Sequence, residues 1–148
     1  EETSKYTDSL PDGTARLLTF SMDAKSVITN PAPDRKLGKR GFYEISGMAW
    51  TGNGRIRRVD VSTDGGRNWR EAVLQEPVLS RALTRFRLPW QWDGSPAILQ
   101  SRAIDDSGYV QPTRAQLVAQ RGLNSNYHYN AIQSWSVAAN GEISNVHA

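Results

Sequence analysis

Between residues 42 and 74, short runs of alternating apolar and small or polar positions are broken by glycine-rich turns, and this pattern constrains the fold more than any other feature. Tyr43, Ile45, Met48 and Trp50 mark the first run, which ends at Thr51-Gly52-Asn53-Gly54. A period of two places alternate side chains on opposite faces of an extended strand. Glycines supply the positive φ that a tight reversal needs, so residues 55–62, with Ile56, Val59 and Val61, are expected to return as the second arm of a hairpin. Asp64-Gly65-Gly66 is a second turn, after which residues 69–74 are expected to form one further strand.

The same punctuation recurs along the chain. Residues 15–29 hold two short apolar runs, LLTF and SVIT, the second stopped by Pro31. Residues 30–41, NPAPDRKLGKRG, have the proline, glycine and charge content of a loop. Residues 83–92, 97–104 and 131–137 read as three more strands, separated by Asp93-Gly94-Ser95-Pro96 and Asp106-Ser107-Gly108. Strands thus recur roughly every ten residues with turn chemistry between them, and no stretch sustains a helical apolar stripe. The pattern predicts an all-β chain folded as a Greek-key β-sandwich. At 148 residues one domain is expected, with residues 1–14, which carry the turn Pro11-Asp12-Gly13, as an entering linker and 15–148 as the domain.

Hydrophobic residues at 38% and charged residues at 22% predict a soluble globular domain, too apolar for a disordered chain and too charged for a membrane span. The net charge of +3, from 18 basic against 15 acidic residues, is dispersed. A nucleic-acid surface is a weak alternative resting on RIRR at 55–58, because Arg55 and Arg57 would share one strand face with Arg58 opposite. The sequence has no cysteine, which excludes disulfides, thiolate ligands and a thiol nucleophile within it. It opens EETSKYTD, without an initiator Met or a basic and apolar leader, and is expected to be a mature or internal fragment.

Few residues offer chemistry. His128 and His147 are the two histidines, and neither sits in a metal-ligand spacing. Asp105-Asp106 is best explained as a turn in which carboxylates cap backbone amides. Gly52, Gly54, Gly65 and Gly66 lack the lysine and following helix of a phosphate loop. No serine stands in a nucleophile elbow, so no catalytic residue and no metal ligand is assigned to the chain. Of the five tryptophans, Trp50, Trp69 and Trp135 read most simply as core, while Trp90 and Trp92, beside Pro89, are open between core and interface. Arg121 opens RGLNSNYHYN, an aperiodic polar segment expected to be an exposed loop presenting one guanidinium. Such a fork suits an oxyanion, although composition alone favours a solvated arginine.

The segment GMAWTGNGRIRRVDVSTDGGRNWREAVL at 47–74 resembles the signature of the dimerisation domain of the sulfite oxidase family of molybdopterin oxidoreductases. SVITNP at 26–31, SRAIDDSGYVQP at 101–112 and RGLNSN at 121–126 follow in the family's order, so the resemblance covers nearly the whole chain. Within the family, AKSVITNPAP, LQEPVLSRALTRFRLPWQWDG and YHYNAIQSWSVAANGEISNV look most like the molybdenum subunit of bacterial sulfane dehydrogenases of the thiosulfate-oxidising Sox system.

The resemblance implies an immunoglobulin-like sandwich and a twofold mate. It also implies a molybdopterin cofactor in a preceding domain absent from this chain, since the family's molybdenum ligand is a cysteine. The intact enzyme would oxidise a reduced sulfur centre and pass electrons to a cytochrome c partner in the periplasm. Arg121 occupies the position of the family's arginine that reaches the substrate oxyanion, and Asn126 and His128 match the same motif loosely as pocket or domain contacts. By itself this chain is not expected to be catalytic. The competing reading is a free-standing immunoglobulin-like module that binds a protein or glycan through its loops, which fold alone does not exclude.

Overall fold

The computed structural model describes residues 23–33, 35–121 and 130–146. Among these, two antiparallel sheets pack face to face. One has the order β1 (Lys25–Asn30), β2 (Gly41–Trp50), β6 (Thr84–Trp92), β5 (Val73–Leu74). The other runs β4 (Arg70–Glu71), β3 (Ile56–Ser62), β7 (Ala97–Asp105), β8 (Ser134–Val137), β9 (Ile143–Val146). The all-β sandwich expected from the alternating pattern is the fold observed.

Strand β6 shows why. Thr84, Phe86, Leu88, Trp90 and Trp92 are buried and the residues between them are exposed, so a period-two sequence becomes a two-faced strand. Its partner β2 turns Ile45, Gly47 and Ala49 to the same side. From the facing sheet, Val59, Val61, Leu99 and Ala103 complete the core. Gly47 is required there: a Cβ on it would lie 2.0 Å from the Val27 carbonyl oxygen and 2.6 Å from Phe86 Cζ. Its missing side chain lets β1 pair close beside β2, next to an irregularity in the β1 register between Ile28 and Asn30.

Four local expectations are corrected. The run 69–74 is two strands, because β4 pairs with β3 in one sheet and β5 pairs with β6 in the other. The crossing is made at buried Ala72, whose N–H donates to the Val59 carbonyl at 2.8 Å. A register shift between Ile56 and Arg58 leaves both Arg57 and Arg58 exposed, instead of on opposite faces. Trp90 and Trp92 prove to be the buried tryptophans, at 6% and 3% exposure, in an aromatic cluster with Tyr43 at ring separations of 6.2 to 6.3 Å. Trp50, Trp69 and Trp135 are only partly buried, because β2 ends at Trp50, Trp69 lies in a turn, and Trp135 packs on the core's margin with its Nε1 donating to the Ile28 carbonyl.

The fourth correction concerns a helix, α1 (Arg114–Arg121), in a chain read as free of helical stripes. Strand β9 carries no strict alternation, with only Ile143 of its four residues buried. Its hairpin turn at Asn140-Gly141 is clamped by Leu37, which donates its N–H to the Gly141 carbonyl at 2.9 Å. The LLTF run and the proposed linker at 1–14 lie outside the described residues.

Candidate functional site

The chain's candidate chemistry is gathered where β7 ends and α1 begins. After β7, Asp105 is fully buried and used structurally. Its Oδ2 accepts from Thr51 Oγ1 at 2.7 Å, and its Oδ1 accepts from the Ser107 N–H at 3.0 Å and the Ser107 hydroxyl at 2.5 Å. Asp106 accepts from the Arg55 backbone and guanidinium, each at 3.2 Å. The turn reading of this acidic pair therefore holds. The chain then runs back antiparallel beside β7, with Val110 bridged to Ile104, and reaches Gln111.

Gln111 is 1% exposed and is the hub of a polar network inside the sandwich. Its Oε1 accepts from Ser26 Oγ at 2.7 Å and from the Ala103 N–H at 3.1 Å, while its Nε2 donates to the Asn130 carbonyl at 2.9 Å. The amide orientation is fixed by the Ala103 N–H, which requires an acceptor. Ser26 spends its one proton on Gln111, so Ser101 Oγ, 2.8 Å away, is the donor to Ser26. Asn130, also fully buried, donates from Nδ2 to the Ala24 carbonyl at 2.9 Å and to the Tyr109 hydroxyl at 3.1 Å. The start of β1, the end of β7, and the residues before α1 and at 130 are thereby tied into one unit.

From this base α1 is launched by a reciprocal cap. Thr113 Oγ1 accepts from the Gln116 N–H at 3.1 Å, and Gln116 Oε1 accepts from the Thr113 N–H at 2.9 Å. Two of the helix's orphan donors are satisfied by this exchange. The signature was legible as Thr113-Arg114-Ala115-Gln116, a threonine followed three residues later by glutamine, with Pro112 just before it. Arg121 is the last residue of α1. The expectation of a loop at this position is corrected, since the cap makes a helix of a segment without an apolar stripe. Asn126 and His128 lie outside the described residues, as does the rest of the Asn-rich segment to residue 129.

Beside α1 is a cleft of about 690 Å³, lined among others by Trp69, Gln100, Arg102, Gln111 and Gln116. Arg102 lies over the Trp69 ring at 4.0 Å and donates to Asp60 at 3.1 Å. Arg58 pairs with the same carboxylate at 3.1 Å. Asp60 thus pairs with Arg58 and Arg102, and Asp106 pairs with Arg55, so two of the three arginines of RIRR are held by carboxylates. The second turn is held similarly: Asp64 accepts from Asn68, Ser62 and the Arg67 N–H, and these bonds, led by the Asn68 side chain, lower its pKa to about 2.

The donor set of this chain does not fit molybdenum. The sequence has no cysteine, and among the described residues no three His, Asp or Glu side chains converge. Among the described residues, no helix is long and apolar enough to cross a membrane.

Comparison with known proteins adds to this geometry. Residues 16–134 match the model of the Mo-co oxidoreductase dimerisation domain. The chain is 40% identical over 111 residues to mitochondrial sulfite oxidase of Mus musculus, covering 69% of this chain and 20% of that protein. It is 38% identical over 114 residues to the Homo sapiens enzyme, covering 71% and 21%. Among solved structures, it is similar to a chain in the crystal structure of the sulfane dehydrogenase SoxCD from Paracoccus pantotrophus. That match has 57% identity and a TM-score of 0.86, and covers 99% of this chain and 38% of that one. The chain therefore spans about a fifth of the length of these curated relatives. These likenesses do not favour the free-standing binding module.

Proposed function

This chain belongs to the Mo-co oxidoreductase dimerisation domain family, and from that premise we propose that it is the assembly domain of a sulfite-oxidase-type molybdenum enzyme oxidising a reduced sulfur compound. The observation that carries the reading is the near-complete coverage of the chain by its match to a sulfane dehydrogenase chain. Molybdopterin, with its oxygen-atom transfer chemistry, would be supplied by a part of the enzyme outside these residues.

The chain's own contribution is charge and position. Arg121 is offered as the substrate-anion ligand: a guanidinium donates two parallel charge-assisted bonds to a sulfur oxyanion. The Thr113–Gln116 cap and the Gln111–Asn130 network support this assignment by giving α1 a rigid origin in the core. Asn126 and His128 are carried in the proposal as pocket or domain contacts on the strength of the motif alone.

The finer architecture belongs to the same reading. Lettered in chain order with β4 as C′, the strands run A-B-E-D in one sheet and C′-C-F-G in the other, with β9 added beyond G, which supports an immunoglobulin-like sandwich. A domain spanning residues 15–148 is supported by a family match beginning at residue 16. A cytochrome c electron acceptor and a periplasmic location rest on the resemblance to bacterial sulfane dehydrogenases.

The test is sulfur-dependent reduction of cytochrome c by the intact enzyme carrying Arg121→Ala or Arg121→Lys. Loss of the fork is expected to lower kcat/KM about 100-fold, equivalent to about 2.7 kcal/mol of transition-state stabilisation. Lysine should restore only part, because it keeps the charge without the bidentate geometry. A kcat/KM near wild type for Arg121→Ala would remove Arg121 from the site.

A further inference from the structure

Three consecutive residues carry the chain out of the sandwich toward α1, and each is fixed in its own way. Gln111 is pinned to β7 twice, its backbone N–H donating to the Ala103 carbonyl at 2.9 Å and its Oε1 accepting from the Ala103 N–H at 3.1 Å. Pro112 has its φ set by its ring, and its carbonyl accepts from the Ile132 N–H at 2.8 Å. Thr113 closes the reciprocal cap with Gln116. The bond from Gln111 Nε2 to the Asn130 carbonyl and the bond from Ile132 to Pro112 are therefore two rungs across the base of one excursion, whose limbs at Gln111 and Asn130 stand 19 positions apart. On the returning limb the Asn130 side chain is held by the Ala24 carbonyl and the Tyr109 hydroxyl. A buried polar network of this kind specifies one arrangement, where apolar side chains of the same volume would bury area without setting a direction.

Resting on the reading of Arg121 as the anion ligand, we infer that the Gln111–Asn130 rung is a positioning device for Arg121, with Gln111 and Tyr109 as its positioning residues. The helix is the lever. The eight residues of α1 extend about 12 Å, so a change of about 5° in the helix direction at its origin moves its last residue by about 1 Å. A displacement of that size can cost about 100-fold in rate where a fork must meet an oxyanion. Gln111 and Tyr109 act through geometry and are assigned no contact with the anion. Their effect is therefore conditional on Arg121, since without the guanidinium the direction of α1 no longer bears on the reaction.

The experiment is a double-mutant cycle on the intact enzyme, with sulfite and an alkyl persulfide as probes and cytochrome c reduction as the readout. Arg121→Ala is combined in turn with Gln111→Met and with Tyr109→Phe. Gln111→Met keeps the length of the side chain and removes the donor that faces the Asn130 carbonyl. Tyr109→Phe removes only the hydroxyl that Asn130 donates to and keeps the ring packed against the core, so it decides alone if thermal melting shows Gln111→Met unfolded. With Arg121 present, kcat/KM is expected to fall about 10-fold in Gln111→Met and about 3-fold in Tyr109→Phe, with KM rising more than kcat falls. In the Arg121→Ala background neither should lower it further by more than about 2-fold. Losses of equal size in both backgrounds, or kcat/KM near wild type in the folded single variants, overturn the inference and leave Arg121 in its role. A kcat/KM near wild type for Arg121→Ala, or a wild type that oxidises neither probe, overturns the underlying reading and the inference with it.

Discussion

The side-chain amide of Gln111 donates to the backbone carbonyl of Asn130 at 2.9 Å, so the two ends of the segment that carries Arg121 meet inside the sandwich and not at its surface. Gln111 also accepts two bonds from opposite sheets, from Ser26 of β1 and Ala103 of β7. Truncating it takes the partner of the buried Ala103 N–H and of the Asn130 carbonyl, and leaves the Ser26 hydroxyl with Ser101 alone. Gln111→Ala is expected to cost about 3 kcal/mol in urea unfolding of the chain. A loss below about 1 kcal/mol would show that the network is not a structural hub.

The cap at the start of α1 gives a second, smaller expectation. Thr113→Ala removes the acceptor for the Gln116 N–H and should cost about 1 kcal/mol. The loss should appear as faster amide exchange confined to the first turn of α1, with little change in the strands. In the intact enzyme, the same substitution should raise KM more than it lowers kcat if α1 positions Arg121 for binding.

Gly47 and Gly38 should behave oppositely toward alanine. At Gly47 the new Cβ meets the Val27 backbone at 2.0 Å and the Phe86 ring at 2.6 Å, and backbone cannot yield as a flexible side chain can. A loss of about 3 kcal/mol or more is expected. At Gly38 nothing lies within 4 Å, and Gly38→Ala should be neutral or stabilising by about 0.5 kcal/mol through the unfolded chain. Paired thermal melts of the two variants decide the point.

Asp64 should titrate near pH 2 when folded, against about 3.9 for an unstructured aspartate. A depressed carboxylate contributes stability that is fully present above the unfolded value and is lost as pH falls through the folded one, here from about pH 4 down to about pH 2. The carboxyl carbon's chemical shift against pH reads this directly. Asn68→Ala should move the midpoint upward most, since the Asn68 side chain is the largest cause of the shift.

The strands were legible wherever alternation was strict. Alternation predicts a strand over residues 83–92 and β6 covers 84–92, because a period of two needs only the local sequence to express itself. The division of 69–74 was not legible: the run is continuous, and whether Arg70–Glu71 and Val73–Leu74 join the same sheet depends on which partners β3 and β6 present. Helix α1 was missed because its eight residues hold too few apolar positions for a stripe, although its capping signature was in plain sight. The tryptophans were misassigned in order of burial because a strand pattern does not say which face a sandwich covers.

By itself the sequence determined the fold class, the turns and the family, since these follow from periodicity, glycine placement and motif order. It also placed Arg121 within a family motif without saying what holds that position. The tertiary structure alone decided that Gln111 and Asn130 are joined in the core, that one segment changes sheets at Ala72, and that Trp90 and Trp92 are the buried tryptophans. Each of these depends on contacts between residues far apart in the chain, which no local pattern of side chains encodes.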